Sequence, residues 1–438
     1  MNIVVEGKAY VRNRLEHVCI GIEDGRISKI AKILPKGEEN YRFKREIILP
    51  AGIDIHVHFR EPGFTHKEDF STGTISAAFG GISCIFDMPN TKPPTITKKA
   101  ILEKLEIAKK KAYIDFGLYA GIADENFEKL ENLANYCNAF KIYLGSSTNA
   151  ILLSKENLKD FFKNAEEFND KPIMIHAEDE ECIERHKIIE SNLSDHLRAR
   201  PDICELKAIQ NILNYKSKKN KIHICHISSA DSIEFLKGAK EEVTKGVTPH
   251  HLIFSTNIKR KRMPNSFYKI NPPLRTKFDV ETLRENLTGN FIDVVESDHA
   301  PHTYEEKDVN FDEAPAGVPG VETMYPILLF WFKKGLLSLD RLVSLLCEKP
   351  AKIMSLEKGA ISEGKDADLI VIDLQNIQKI KAENLHYKCG WTLYEGIRAI
   401  FPSYTFVRGM PIIEEYTLAG EKGYGKQVKT TSEEEQET

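Results

Sequence analysis

Gly52-Ile53-Asp54-Ile55-His56-Val57-His58 reads as one short β-strand. Period-two alternation puts Ile53, Ile55 and Val57 on one face and Asp54, His56 and His58 on the other. Seven further apolar runs of similar length follow, at 82–87, 114–120, 139–144, 172–177, 221–227, 243–248 and 291–297. Between most of them lie amphipathic, charge-rich stretches such as 98–112, 155–168 and 203–215. Eight strands alternating with helices in this way are the signature of an α/β fold of the (β/α)8 TIM-barrel type. An open doubly wound sheet is the other arrangement that periodicity permits.

Outside this stretch the texture changes. Residues 1–50 read as short strands and turns, with Asp24-Gly25 between two apolar runs as a hairpin signal. Strand-and-turn texture returns after 351, in Leu369-Ile370-Val371-Ile372 and in Tyr404-Thr405-Phe406-Val407. The reading is therefore a barrel over 51–350 and a small discontinuous β domain from 1–50 and 351–418. Residues 419–438 hold five Glu and three Lys and almost no apolar side chains, which predicts a disordered tail.

Composition narrows the function classes. The 438 residues would suggest roughly three domains at about 150 residues each, a prior that a single decorated barrel overrides. Sixty-one Lys plus Arg against 65 Asp plus Glu leave a formal charge of −4, which supports neither nucleic-acid binding nor a polybasic membrane anchor. No basic segment leads into a long apolar one at the start, and no apolar run approaches the ~20 residues of a spanning helix. The eight cysteines are scattered without a Cys-x-x-Cys pair and read as reduced thiols in a cytoplasmic protein.

The chemistry-bearing residues fall where the strands end. His56 and His58, two apart on one strand, are spaced to bind one metal ion, against the plainer reading of two surface histidines. Lys141 lies within Ala139-Phe140-Lys141-Ile142-Tyr143-Leu144, His176 closes the run after Pro172, and His226 and Asp298 follow at later strand ends. The C-terminal ends of barrel strands carry the active site. Four histidines, a lysine and an aspartate at successive ends are hard to explain as packing. Imidazole and carboxylate donors without thiolate suit Zn2+, with Mn2+, Fe2+ or Co2+ as alternatives. An ammonium group at Lys141 would be costly to bury and would repel a metal. It either snorkels to the barrel mouth or has captured CO2 as an anionic carbamate, the reading favoured here.

These residues, in this order, resemble the cyclic amidohydrolases of the amidohydrolase superfamily, and most of all the dihydroorotases. The resemblance runs from Leu49-Pro50-Ala51-Gly52 to Asp366-Ala367-Asp368-Leu369-Ile370. It implies two Zn2+, with His56 and His58 on the more buried ion and His176 and His226 on the other. Lys141, as N6-carboxylysine, would bridge them and Asp298 would complete the site. Hydantoinases and allantoinases share such a ligand set, so the substrate side discriminates. By resemblance Arg60, Asn90 and His302 hold the substrate carboxylate, and His58, Asn271, Ala316 and Gly317 make further substrate contacts. The 145–149 stretch is a candidate closing loop, and His250 and His251 are expected to have structural hydrogen-bonding roles.

The implied reaction is reversible hydrolysis of (S)-dihydroorotate to N-carbamoyl-L-aspartate in de novo pyrimidine (UMP) biosynthesis. Asp298 would act as general base and then general acid. The rivals are a hydantoinase- or allantoinase-type cyclic amidase and a non-enzymatic scaffold on the same fold. The expected partner is a small-molecule substrate, with no nucleic acid and no membrane. A homo-oligomer, and association with an aspartate carbamoyltransferase, are left open by the sequence.

Overall fold

The eight apolar runs form parallel strands: Gly52–Val57, Ile82–Asp87, Asp115–Ile122, Ala139–Tyr143, Ile173–His176, Ile222–Ile224, Thr244–Val247 and Val294–Val295. The computed structural model describes all of residues 1–438 except 128–129, 150, 166–170, 241, 259–262 and 430–438. Each strand pairs with the next in chain order. The last meets the first through a bridge between Val57 and His299, where His58 N–H donates to the His299 carbonyl at 2.8 Å. This is a (β/α)8 barrel.

Helix Lys98–Lys111 shows why the crossovers fold. Thr97 caps its N-terminus by accepting from Ala100 N–H, and Lys109, Lys110 and Lys111 meet the negative end of its dipole. Its Ile101, Leu105 and Ala108 are buried against the barrel. Helix Asp202–Tyr215 matches its expected span, and Lys155–Asn164 accounts for most of the 155–168 stretch; 166–168 lie outside the described residues.

Alternation in the first strand is broken. Ile53 and Ile55 pack in a cluster with Phe86, Tyr119, Met174 and Cys225, whereas Val57 joins the larger core that includes barrel and helix residues. The expected shared face of Ile53, Ile55 and Val57 is corrected by two register shifts in this strand's pairing.

Both ends of the chain interleave in a second eight-stranded sheet. In spatial order its strands are Thr417–Leu418, Met410–Glu414, Tyr404–Val407, Leu369–Ile372, Glu39–Pro50, Ile3–Val11, Arg14–Glu23 and Arg26–Ala31. Asp24 (φ 49°) and Gly25 (φ 82°) turn the hairpin, as a two-residue loop with both residues left-handed requires. Between sheet and barrel, the buried Lys358 ammonium meets Asp115 at 2.8 Å, Asp366 at 2.7 Å and Asp368 at 2.9 Å.

Two expectations are corrected. Residues 419–429 are not a loose tail but run along the barrel. Phe116 N–H donates to the Lys426 carbonyl and Val428 N–H to the Phe116 carbonyl, each at 2.9 Å, while Asn138 Nδ2 donates to the Val428 carbonyl at 2.8 Å. Backbone hydrogen bonds, which composition does not encode, hold this segment; 430–438 lie outside the described residues. Cys182 and Cys204, expected as thiols, form a disulfide, and the other six cysteines are not disulfide-bonded. The bond joins helices Glu180–His186 and Asp202–Tyr215, whose packing brings the two residues together.

Candidate active site

The C-terminal ends of the strands converge on a small cavity. It is lined by His56, His58, His176, His226 and Asp298 together with Arg60, Asn90, Asn271, Ala316 and Gly317. Three of the residues concerned, Arg60 (φ 63°), His226 (φ 37°) and Asp298 (φ 45°), hold left-handed backbone. Each such residue costs about 1–3 kcal/mol and persists only where its surroundings over-determine it.

Hydrogen bonding fixes which ring nitrogens face inward. Asn90 Nδ2 donates to the Thr148 carbonyl at 2.9 Å, so its Oδ1 accepts from His58 Nδ1 at 2.7 Å. His58 Nε2 then points at Asp298 Oδ1, 3.1 Å away, and His56 Nε2 lies 3.4 Å from the same oxygen. Burial pushes the His58 pKa down to about 3, so its ring is neutral at pH 7. A neutral ring protonated at Nδ1 offers a lone pair at Nε2. Two acceptors thus face each other across 3.1 Å, an arrangement that a cation between them would stabilise.

The other half of the cluster repeats the pattern. His176 Nε2 faces Glu178 Oε2 at 2.9 Å, which leaves Nδ1 3.1 Å from His226 Nε2. Burial lowers the pKa of both rings, and the Nδ1 of His226 has no hydrogen-bond partner among the described residues. Burial would raise the pKa of Asp298, but the neighbouring His56 opposes it and the carboxyl is held well below its usual range. Neutral imidazoles and an ionised carboxylate are the protonation states that bind metal. His56, His58 and Asp298 place one ligand atom each within 4.8 Å of one another. The donor set fits a divalent cation.

Lys141 is completely buried, its Nζ 3.3 Å from Cys225 Sγ and 5.0 Å from the centre of the Tyr143 ring. It does not snorkel, and no carboxylate lies within 4 Å of its amine among the described residues.

On the substrate side, Arg60 is 2% exposed; its Nε donates to the Pro301 carbonyl and its Nη2 lies 3.2 Å from His302 Nε2. No carboxylate pairs with it among the described residues. His302 does not line the cavity but sits behind Arg60 and Ala316, whose carbonyl is 3.1 Å from Nε2. Asn90 lines the cavity with its amide already engaged. Asn271 reaches Ser147 Oγ at 3.5 Å and keeps an unpartnered Oδ1. Gly317 (φ 139°) passes so near Ala300 that a Cβ would lie 2.5 Å from its carbonyl oxygen, so only glycine fits. His251 bonds Thr248 Oγ1 and the Pro272 carbonyl, as a structural residue should, and His250 Nδ1 lies 3.4 Å from the Tyr394 hydroxyl.

Comparison with known proteins identifies the family. The amidohydrolase family model matches residues 47–398. Dihydroorotase of Methanosarcina acetivorans is 38% identical, covering 96% of this chain and 93% of that protein. Dihydroorotase of Pyrococcus furiosus is 36% identical, covering 96% and 94%. The chain belongs to the dihydroorotase family of amidohydrolases. Among solved structures, this dihydroorotase-family chain is similar to L-hydantoinase from Arthrobacter aurescens at TM-score 0.91 and 27% identity, over 98% of this chain and 99% of that one. It is similar in the same way to D-hydantoinase from a Bacillus species, at TM-score 0.89 and 25% identity over 98% and 99%.

Several site residues of this family member escaped sequence reasoning. Glu296 is wholly buried, accepting from His226 N–H at 2.6 Å and facing His56 Nδ1 at 3.3 Å and His223 Nε2 at 3.4 Å. Its position two residues before Asp298, just past the end of strand Val294–Val295, was the available signal. Glu178 and Arg200 brace His176. Tyr143 also lines the cavity, its hydroxyl without a hydrogen-bond partner among the described residues, whereas Ser147 and Thr148, which line it too, belong to the 145–149 stretch that the sequence singles out. No helix among the described residues is long and apolar enough to cross a membrane.

Proposed function

We propose that this chain catalyses the reversible ring opening of (S)-dihydroorotate to N-carbamoyl-L-aspartate, a step of de novo pyrimidine (UMP) biosynthesis. The observation that carries the reading is Arg60. A buried guanidinium beside the donor cluster, with no carboxylate of its own, is an expensive arrangement unless a ligand supplies the anion. Dihydroorotate carries a carboxylate on its ring, and Arg60 presents the planar fork that binds one bidentately. Hydantoin and allantoin lack that group.

The residues that would hold two Zn2+ are His56, His58, His176, His226, Asp298 and Lys141, the last as N6-carboxylysine. Bound there, the ions would supply Lewis acidity towards the ring carbonyl and lower the pKa of water towards ~7. Asp298 is held ionised and so ready to accept the proton of the attacking water and pass it to the leaving ring nitrogen. In the ring-closing direction it would do the reverse. Arg60 would anchor the carboxylate, and His302 would support Arg60 from behind. Asn90 would keep His58 in the tautomer that frees Nε2. Asn271 and the backbone at Ala316 and Gly317 would contact the ring amide.

Turnover with dihydroorotate, N-carbamoyl-L-aspartate, hydantoin and allantoin, compared side by side, tests the proposal. Activity on the first two, and little on the others, is expected. Preference for hydantoin would move the chain to the hydantoinase reading, and inertness towards all four would favour a scaffold.

A further inference from the structure

The mechanism leaves unused the buried ion pair Glu178–Arg200, which lies against His176. Arg200 grips Glu178 in bidentate fashion, Nε to Oε1 at 3.1 Å and Nη2 to Oε2 at 2.7 Å. The same Oε2 faces His176 Nε2 at 2.9 Å. Arg200 Nη2 also donates to the Ser146 carbonyl at 2.6 Å, and Ser146 N–H donates to Glu180 Oε2 at 2.5 Å. Ser146 opens the stretch whose Ser147 and Thr148 line the cavity. From there Thr148 accepts from Asn90 through its carbonyl and donates through Oγ1 to the Ala316 carbonyl at 2.9 Å.

Arg200 is itself held in place. Its carbonyl accepts from Arg275 Nη1 at 2.6 Å, and Arg275 Nε donates to Ser228 Oγ at 2.9 Å. One guanidinium thus touches both the carboxylate that orients a candidate ligand imidazole and the loop that walls the cavity. A carboxylate on the outer nitrogen of a ligating histidine fixes its tautomer and ring orientation, and its loss weakens metal binding by about 10- to 100-fold.

We propose that Arg200 is a positioning residue that sets the ring of His176, through Glu178, and the cavity wall at 146–148, through Ser146, as one unit. This rests on the reading that His176 holds metal and that the cavity takes dihydroorotate. The unit accounts for the placement of a charged pair where an apolar residue would be cheaper, because an apolar side chain would orient neither group.

The test uses zinc-loaded full-length protein with Glu178→Gln and Arg200→Lys. Three readouts are taken: zinc release to a chromophoric chelator, kcat and KM for dihydroorotate, and Tm. Glu178→Gln should retain zinc about 10- to 100-fold less tightly. Arg200→Lys keeps a cation beside Glu178, but a lysine is a point donor without the fork that serves two partners. It should release zinc faster than wild type, though less so than Glu178→Gln, while KM rises about tenfold, the loss of one charge-assisted hydrogen bond, with kcat little changed. The proposal is overturned if zinc retention and KM stay at wild-type values in both variants. It is equally overturned if Arg200→Lys sheds zinc as Glu178→Gln does with no change in KM, because Arg200 would then serve the carboxylate alone. Should Glu178→Gln fail to fold, Arg200→Lys decides: zinc retention and KM should both change, and a change in one alone overturns the proposal. If wild type binds zinc but does not turn over dihydroorotate, the substrate reading fails by itself. Zinc retention in Glu178→Gln then decides the positioning role.

Discussion

Lys141 Nζ stands 3.3 Å from Cys225 Sγ, and both side chains are buried. Burial pushes the Cys225 thiol up, so it is neutral at pH 7 and cannot compensate an ammonium group. A buried unpaired cation is costly, and conversion of the amine to a carbamate replaces it with an anion near His176 and His226. Enzyme stripped of metal and CO2 should therefore be inactive, and zinc together with bicarbonate should restore more turnover than zinc alone. Intact mass spectrometry should show the added CO2. Full recovery with zinc in CO2-free buffer would rule out the carbamate.

Arg60→Met should raise KM for dihydroorotate with a smaller effect on hydantoin. Truncating one partner of a buried charge pair costs about 2–5 kcal/mol, which is roughly 30-fold or more in affinity at 1.4 kcal/mol per decade. Steady-state kinetics on both rings measures it, and equal losses on the two would sink the carboxylate assignment.

His251 predicts a pH effect on stability. Burial, acting against the bond to the Pro272 carbonyl, pushes its pKa down to about 4 from the ordinary 6.5. Above about 6.5 the ring is neutral in both folded and unfolded chains. As pH falls from there to about 4 the unfolded chain takes up a proton that the folded one refuses, so stability is lost over that window. The fall in Tm between pH 7 and pH 5 should be smaller in His251→Gln than in wild type. Equal falls would remove His251 from the account.

The Cys182–Cys204 bond closes a loop with a sequence separation of 22. Thiol titration of the unfolded protein should count six free thiols before reduction and eight after it. Cys204→Ser should destabilise by about 2–4 kcal/mol, seen as a lower midpoint in denaturant. Eight thiols without reductant would contradict the bond.

The eight barrel strands were legible because they are short apolar runs spaced by helical stretches, and the candidate ligands because most of them stand at or just past the ends of those runs. What was not legible depends on contacts distant in sequence. Strand Glu39–Pro50 hides because its first eight residues are mostly polar and exposed, although it lies in the middle of its sheet. Glu178 looks like a helix-entry acid until Arg200 closes on it. His302 stands near Asp298 in sequence, yet a turn places it behind Arg60. The disulfide follows from the packing of two helices, for which a 22-residue spacing gives no signal.

The course of residues 419–429 along Phe116 and Asn138 has a consequence for biosynthesis. A ribosome delivers the chain from its N-terminus, so strands Ile3–Val11 to Glu39–Pro50 emerge early but wait for Leu369–Ile372 to complete their sheet. The barrel, complete in its eight strands by residue 295, still waits for the segment that seals it beside Asp115–Ile122. Vectorial synthesis cannot finish either half first, and the native state waits until residues 419–429 have emerged.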